Sequence, residues 1–170
     1  MSSATPLGRI PVSVLVERRK ASSPWIDYVW TPSAVLCGVP ETAPWTPISQ
    51  TADVTTFYAG AAEILLYRTE TGNYRDNLAA GEPKLWILLR PTGVEPAYDL
   101  LAVTADPAEG ESFTEVGNDL VEMVPMPAPI REAVAAFVNA HHVERPVFKR
   151  KRDRADPEAL GRRPRGSEDK

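Results

Sequence analysis

The polar segment between residues 67 and 77 is the best candidate for binding chemistry in this chain. It reads Tyr-Arg-Thr-Glu-Thr-Gly-Asn-Tyr-Arg-Asp-Asn, so two Tyr-Arg pairs stand seven residues apart. Tyrosine and arginine are enriched at interfaces because each covers apolar area while offering directed hydrogen bonds. The pattern predicts a binding loop in which Arg68 and Arg75 hold an anionic group, with Tyr74 and Asn77 beside them. The alternative is an ordered connection whose tyrosines cap the core.

Two tryptophans form a second candidate site. Trp25 and Trp45 each follow a proline, in a window that contains five of the chain's 17 prolines. A groove of tryptophan beside proline can grip a peptide or a ring-bearing ligand. We therefore add both tryptophans to the candidate ligand-binding or partner-binding residues. The alternative is a satellite cluster that pins an irregular segment onto a sheet.

The two histidines, His141 and His142, are the most obvious candidates for metal or acid-base chemistry. Adjacent side chains on a helix point about 100° apart and do not easily share one ion. His141 is expected to pack under the end of a helix. The only cysteine, Cys37, is flanked by apolar residues, which favours a small core residue over a reactive thiol. We expect no metal site.

The sequence contains no recognisable catalytic or cofactor motif. It lacks a Gly-x-Ser-x-Gly elbow, a phosphate-binding loop and a dinucleotide fingerprint. No catalytic residue and no cofactor is therefore predicted, and a non-enzymatic function is favoured.

Charge is divided unevenly along the chain. Residues 1–143 carry 9 basic and 17 acidic side chains, whereas residues 144–170 carry 10 basic and 6 acidic ones. The run from Lys149 to Arg154 could contact nucleic acid, but no nucleic-acid recognition motif accompanies it. The acidic body would also repel phosphate. Nucleic-acid binding is not expected, and a solvated tail is favoured.

Hydrophobic periodicity predicts mostly β-structure. Residues 11–18 and 85–90 are expected to be strands, the latter central and covered on both faces, with residues 98–104 beside it. Residues 53–60 and 61–68 are expected to be back-to-back strands, with Gly60 at a turn or bulge. The polar segment 70–78 leaves room for one helical turn.

Two helices are predicted near the C-terminus. The sequence Asp106-Pro107-Ala108-Glu109 is a complete helix-start signature, and a second helix begins near Pro129.

These elements predict one α+β domain with a twisted, mostly antiparallel sheet of about five or six strands and two helices near the C-terminus. The domain is expected over residues 10–148, between a flexible N-terminus (1–9) and a basic, disordered tail (149–170). No apolar run is long enough to span a bilayer, and no secretory signal begins the chain. A cytoplasmic protein without a membrane partner is expected.

The order of several motifs resembles a known family. They are residues 11–19 (Pro-Val-Ser-Val-Leu-Val-Glu-Arg-Arg), Pro24-Trp25, Trp30-x-Pro32, Pro44-Trp45, Tyr58-x-Gly60 with Glu63, Tyr74-Arg75-x-Asn77-Leu78, Leu89-Arg90, Pro125-Met126-Pro127 and His141-His142-Val143-Glu144-x-Pro146. Together they resemble a proteobacterial family of unknown function, whose genes commonly stand beside those for molybdenum-dependent formate dehydrogenase and its maturation factors. The resemblance covers about residues 10–152.

The resemblance implies an accessory factor that assembles or supplies a molybdopterin enzyme. Its partner would be a formate dehydrogenase subunit or a maturation factor. The alternative is a small enzyme or carrier in molybdopterin-guanine dinucleotide maturation. In that alternative, Arg68 and Arg75 would hold phosphate and His141 or His142 would transfer a proton. It requires these four side chains to converge in one pocket.

Overall fold

A computed structural model describes residues 4–115 and 117–143 of the chain. The strands are β1 (Gly8–Lys20), β2 (Tyr28–Cys37), β3 (Thr46–Gln50), β4 (Val54–Leu66), β5 (Lys84–Pro91), β6 (Tyr98–Thr104) and β7 (Leu120–Pro125). The helices are α1 (Thr71–Ala79), α2 (Pro107–Phe113) and α3 (Ala128–His141), and a 3₁₀ turn (Arg68–Glu70) leads into α1. The predicted tail at 149–170, the last residues of the predicted domain and the first three residues of the chain lie outside the described residues.

The strands form two antiparallel sheets, in the orders β2-β1-β4-β3 and β6-β5-β7. The predicted α+β class with antiparallel sheet is confirmed, and β5 is central as expected. The described strands number seven in two sheets, rather than five or six in one. Because β6 lies beside β4 and β7 beside β2, the two sheets share one core. Val14, Ile64, Leu89 and Val134 are among the residues that fill it.

Strand β4 is one long strand where the sequence suggested two. Val14 pairs with Gly60 but Leu15 pairs with Tyr58, so one extra residue interrupts the ladder at this point. Gly60 has a φ of 138°, a conformation that other residues rarely adopt. The chain therefore bends at a β-bulge and continues in the same direction.

The helix starts follow the predicted signals at α2 and α3. The Asp106 carboxylate accepts hydrogen bonds from the backbone N–H groups of Ala108 and Glu109, and Pro107 occupies the first turn. Helix α3 begins at Ala128, one residue before the predicted start, and buries an apolar face made of Ile130, Val134, Phe137 and Val138.

Helix α1 was underestimated, because it has nine residues rather than one turn. It packs against α3 and buries polar side chains that a local pattern does not identify as core.

Cys37 is exposed, and its predicted place in the core is wrong. It is the last residue of β2, where the chain leaves the sheet before Gly38 turns with a φ of 89°. In the described part of the chain, no helix is long and apolar enough to cross a membrane.

Candidate functional site

Two cavities lie along the contact between α1 and α3, and His142 lines both of them. The larger, of about 550 Å³, is lined by Arg68, Thr69, Thr71, Gly72, His141, His142 and Val143. The other, of about 450 Å³, is lined by Arg75, Leu78, Ala135, Val138, Asn139 and His142. We call this pair of cavities the α1–α3 groove. It brings both histidines to the segment that carries the two candidate arginines.

Hydrogen bonds fix the orientation of the His142 ring. Its Nδ1 lies 3.0 Å from Thr71 Oγ1, and its Nε2 lies 3.3 Å from Arg75 Nη1. A guanidinium group can only donate, so Nε2 accepts and the ring hydrogen sits on Nδ1. The Nδ1–H then donates to the Thr71 hydroxyl, which donates in turn to the Arg68 carbonyl oxygen at 3.2 Å. The two contacts therefore match the tautomer that carries its hydrogen on Nδ1.

His141 is held mainly by packing. Its ring centroid lies 4.5 Å from that of Phe137, and Phe137 makes an edge-on contact of 6.2 Å with Tyr74. The ring is partly buried and contributes to the wall of the larger cavity. His141 therefore packs at the end of the helix, as the sequence suggested, while remaining within reach of the groove.

The four candidate residues around α1 separate into two groups. Arg68 and Arg75 are exposed and line the groove, whereas Tyr74 and Asn77 are buried, with 1% and 5% of their surface exposed. The Tyr67 N–H donates to the Tyr74 hydroxyl at 2.9 Å. Burial, the largest effect, raises the pKa of Tyr74 to about 12.

The Asn77 side chain links α1 to the neighbouring sheet by hydrogen bonds. Its Nδ2 donates to the carbonyl oxygens of Lys84 (2.8 Å) and Ala105 (2.9 Å), while its Oδ1 accepts from the Lys84 N–H at 3.0 Å. These bonds tie α1 to the start of β5 and to the end of β6. Tyr74 and Asn77 thus position α1, and the groove is lined by other side chains.

Carboxylates gather at a separate cavity, which is lined by Ala4, Tyr67, Thr69, Glu70, Asp106 and Glu109. The Asn73 amide donates to Glu70 (3.0 Å) and to Asp106 (3.1 Å). Burial raises the pKa of the Glu109 carboxyl, and a hydrogen bond from the Thr104 hydroxyl acts in the opposite direction. Within residues 4–115 and 117–143, no group of three His, Cys, Asp or Glu side chains is placed to hold a metal ion.

The two candidate tryptophans lie outside the α1–α3 groove. Trp25 is 90% exposed in the β1–β2 loop. Trp45 packs instead into an aromatic cluster, 6.0 Å from Trp30 and 6.2 Å from Phe57 between ring centroids. It also has a φ of 64°, in the left-handed region, and the ring contacts hold it there.

Thr71, Leu78 and Asn139 line the groove, although none of them was among the predicted site residues. Thr71 and His142 are 71 positions apart, and no spacing signal connects them. The polar face of α1 was the one available signal, and it was assigned to a loop.

One protein family matches most of the chain, including the groove. No curated protein and no solved structure matches the chain. A family model described as "Protein of unknown function (DUF3305)" matches residues 11–152, which include both histidines and both groove arginines. The chain belongs to the DUF3305 family.

Proposed function

We propose that this chain is a small accessory protein that binds an anionic group of its partner in the α1–α3 groove. The observation that carries the proposal is the convergence of Arg68, His141 and His142 on one cavity, with Arg75 in contact with His142 at 3.3 Å. Guanidinium and imidazole groups in one cleft favour carboxylate or phosphate oxygens.

Arg68 is the best-placed ligand in the groove. Among the described residues the ion pairs are Arg9–Glu63, Lys84–Glu82 and Arg90–Asp119, and none of them involves Arg68. Its guanidinium therefore keeps its donors available for a bound anion. Gly72 adds room, because nothing lies within 4 Å of the position a Cβ atom would take there. The first turn of α1 also faces this cavity and adds positive potential.

The size of the cationic patch restricts the ligand. Residues 1–143 carry an excess of acidic side chains, so a long polyanion would be repelled by most of the surface. A single carboxylate or phosphate can enter the groove without crossing that field. In the setting implied by the sequence resemblance, the partner is a cytoplasmic formate dehydrogenase subunit or one of its maturation factors.

Co-purification tests this function directly. Tagged protein from cells growing on formate is expected to recover a dehydrogenase subunit or a maturation protein. Arg68→Glu should abolish the recovery, because it reverses the charge inside the groove. Arg131→Glu is the matched control, since Arg131 is exposed on α3 and does not line either cavity. Recovery of neither class of protein, with unchanged dehydrogenase activity in a deletion strain, would refute the proposal.

A second candidate function is a small enzyme or carrier in molybdopterin-guanine dinucleotide maturation. It is favoured by part of the convergence that this function requires. Arg68, His141 and His142 line one cavity, whereas Arg75 lines the neighbouring cavity and contacts His142. Arg68 would hold a phosphate and His142 would accept a proton on Nε2 once the ligand displaces the Arg75 contact.

Titration calorimetry with pyrophosphate and guanosine monophosphate separates the two candidates. The carrier function predicts binding that weakens in Arg68→Gln. It also predicts proton uptake that disappears in His142→Gln. Binding no stronger than that of chloride would eliminate this candidate and leave the accessory function standing.

A further inference from the structure

We propose that the end of the β1–β2 hairpin, residues 18–29, is a docking surface for a partner protein that presents a carboxylate beside an apolar side chain. We call this region the hairpin end. It is separate from the α1–α3 groove, because none of its residues lines either groove cavity. The proposal therefore does not depend on the function assigned to the groove.

Arg18 is the centre of the surface. Its guanidinium carbon lies 4.3 Å from the ring centroid of Tyr28, 5.1 Å from that of Phe57 and 5.6 Å from that of Trp30. These rings attract the cation but do not replace the hydrogen bonds that water would make. Its Nε is shielded from solvent and has no hydrogen-bond acceptor among the described residues.

The rest of Arg18 remains accessible. The residue as a whole is only partly buried, and no carboxylate of the described chain lies within 4.0 Å of it. A guanidinium that is fixed by three rings loses little side-chain freedom on binding. It is therefore preorganised to make a charge-assisted hydrogen bond to an incoming carboxylate.

The hairpin end also presents apolar side chains to solvent. Trp25 is 90% exposed, Ile26 is 54% exposed and Tyr28 is 40% exposed. The loop that presents them is held by backbone bonds from Ala21 N–H to the Asp27 carbonyl oxygen and from Lys20 N–H to that of Asp53, each 3.0 Å long. Tryptophan, tyrosine and arginine together are typical of the energetically dominant part of a protein interface.

The local charge selects a protein over a polyanion. Residues 18–29 carry three cations (Arg18, Arg19, Lys20) and one carboxylate, Asp27. Two more carboxylates lie next to them, Glu17 in the chain and Asp53 through its backbone bond with Lys20, so these six formal charges sum to zero. A nucleic acid or an anionic membrane would gain little attraction here. A protein segment can place one carboxylate at Arg18 and one apolar side chain against the exposed Trp25 or Ile26.

Site-specific photocrosslinking in cells identifies the partner segment. A photoreactive phenylalanine analogue replaces Ile26 in the full chain, and Leu36 is the matched control position, since it is 47% exposed near the other end of β2. The expected result is one protein crosslinked from position 26 and not from position 36. Mass spectrometry should place the crosslink within a few residues of an aspartate or glutamate.

Binding of a synthetic peptide with that sequence then tests Arg18 itself. Fluorescence anisotropy should show affinity reduced about tenfold or more by Arg18→Gln, the loss expected for one charge-assisted hydrogen bond. Arg19→Gln is the control, because its side chain leaves the strand on the opposite face. Trp25→Ser should also weaken binding, and its exposure makes a folding defect in this variant unexpected.

Several outcomes would overturn the proposal. These are equal binding by the Arg18 and Arg19 variants, a crosslinked segment without a carboxylate, and a crosslink to a second copy of this chain. A blue shift of tryptophan emission with phosphatidylserine vesicles, lost in Trp25→Ser, would assign the surface to a membrane instead.

Discussion

Replacing Asn77 by alanine tests whether this residue builds the fold or binds a ligand. Its side chain makes three hydrogen bonds to backbone groups, at 2.8, 2.9 and 3.0 Å, and only 5% of its surface is exposed. Each bond stabilises the folded state by about 1 kcal/mol, with more lost when a partner is left buried and unpaired. Alanine recovers about 0.5 kcal/mol through its better helix propensity. The variant should therefore lose about 3 kcal/mol of unfolding free energy.

Urea denaturation measures this loss, with an expected drop in the midpoint and an unchanged slope. The melting temperature should fall by about 10 °C for a domain of this size. Asn139→Ala provides the control, because Asn139 is exposed on α3, and it should change stability by less than about 0.5 kcal/mol. If Asn77→Ala lowered the free energy of unfolding by less than about 1 kcal/mol, the structural role of Asn77 would be refuted and Asn77 would again be a candidate binding residue.

Three further predictions concern packing and pH. Gly110→Ala should lower the free energy of unfolding by about 2 kcal/mol or more, because its Cβ would lie 2.2 Å from a ring carbon of Trp86. Gly72→Ala, where the Cβ would meet open space, should be neutral or stabilising. An equilibrium unfolding experiment measures both. The pKa of Tyr74 in the folded state, about 12, is above the usual 10. The free energy of unfolding that the Tyr74 hydroxyl contributes relative to Tyr74→Phe should therefore be constant below pH 10 and shrink as the pH rises toward 12, in the same unfolding experiment. The hydrogen bond from Arg90 lowers the pKa of Asp119. Asp119→Asn should therefore be less stable than the original protein at pH 7, and this difference should disappear as the pH falls through that lowered pKa. Denaturant midpoints measured over this pH range check the prediction.

The elements with local signals were predictable from the sequence. Asp106 and Pro107 determine the start of α2 by satisfying its first backbone N–H groups, and the apolar face of α3 repeats at the helical period. Strand β3 was missed because it lies in the proline-rich window and is short, and its pairing with β4 shifts register between Pro47 and Ser49. The bulge at Gly60 was only one of two options, since a glycine permits a turn equally well.

The candidate site was predictable only in part, for a physical reason. Arg68 and Arg75 were identified because charged side chains in a polar segment are accessible wherever the segment lies. Asn77 and Tyr74 looked equally accessible, but their burial depends on backbone groups of β5, β6 and the segment after β4. Those partners are brought close by the tertiary fold, and a local pattern carries no information about them.

The position of Asn73 explains how an acidic chain keeps a cationic groove. Glu70 and Asp106 are the carboxylates that its amide binds, at 3.0 and 3.1 Å. Asp106 also caps α2, so both acids are directed toward the cavity that contains Glu109 rather than toward His142. Together with the Thr69 hydroxyl, which donates to the other Glu70 oxygen at 3.3 Å, this amide keeps the Glu70 carboxylate from turning to the neighbouring Arg68 and neutralising it. An amide at this position therefore separates opposite charges across α1, and the proposed anion site depends on that separation as much as on its own arginine.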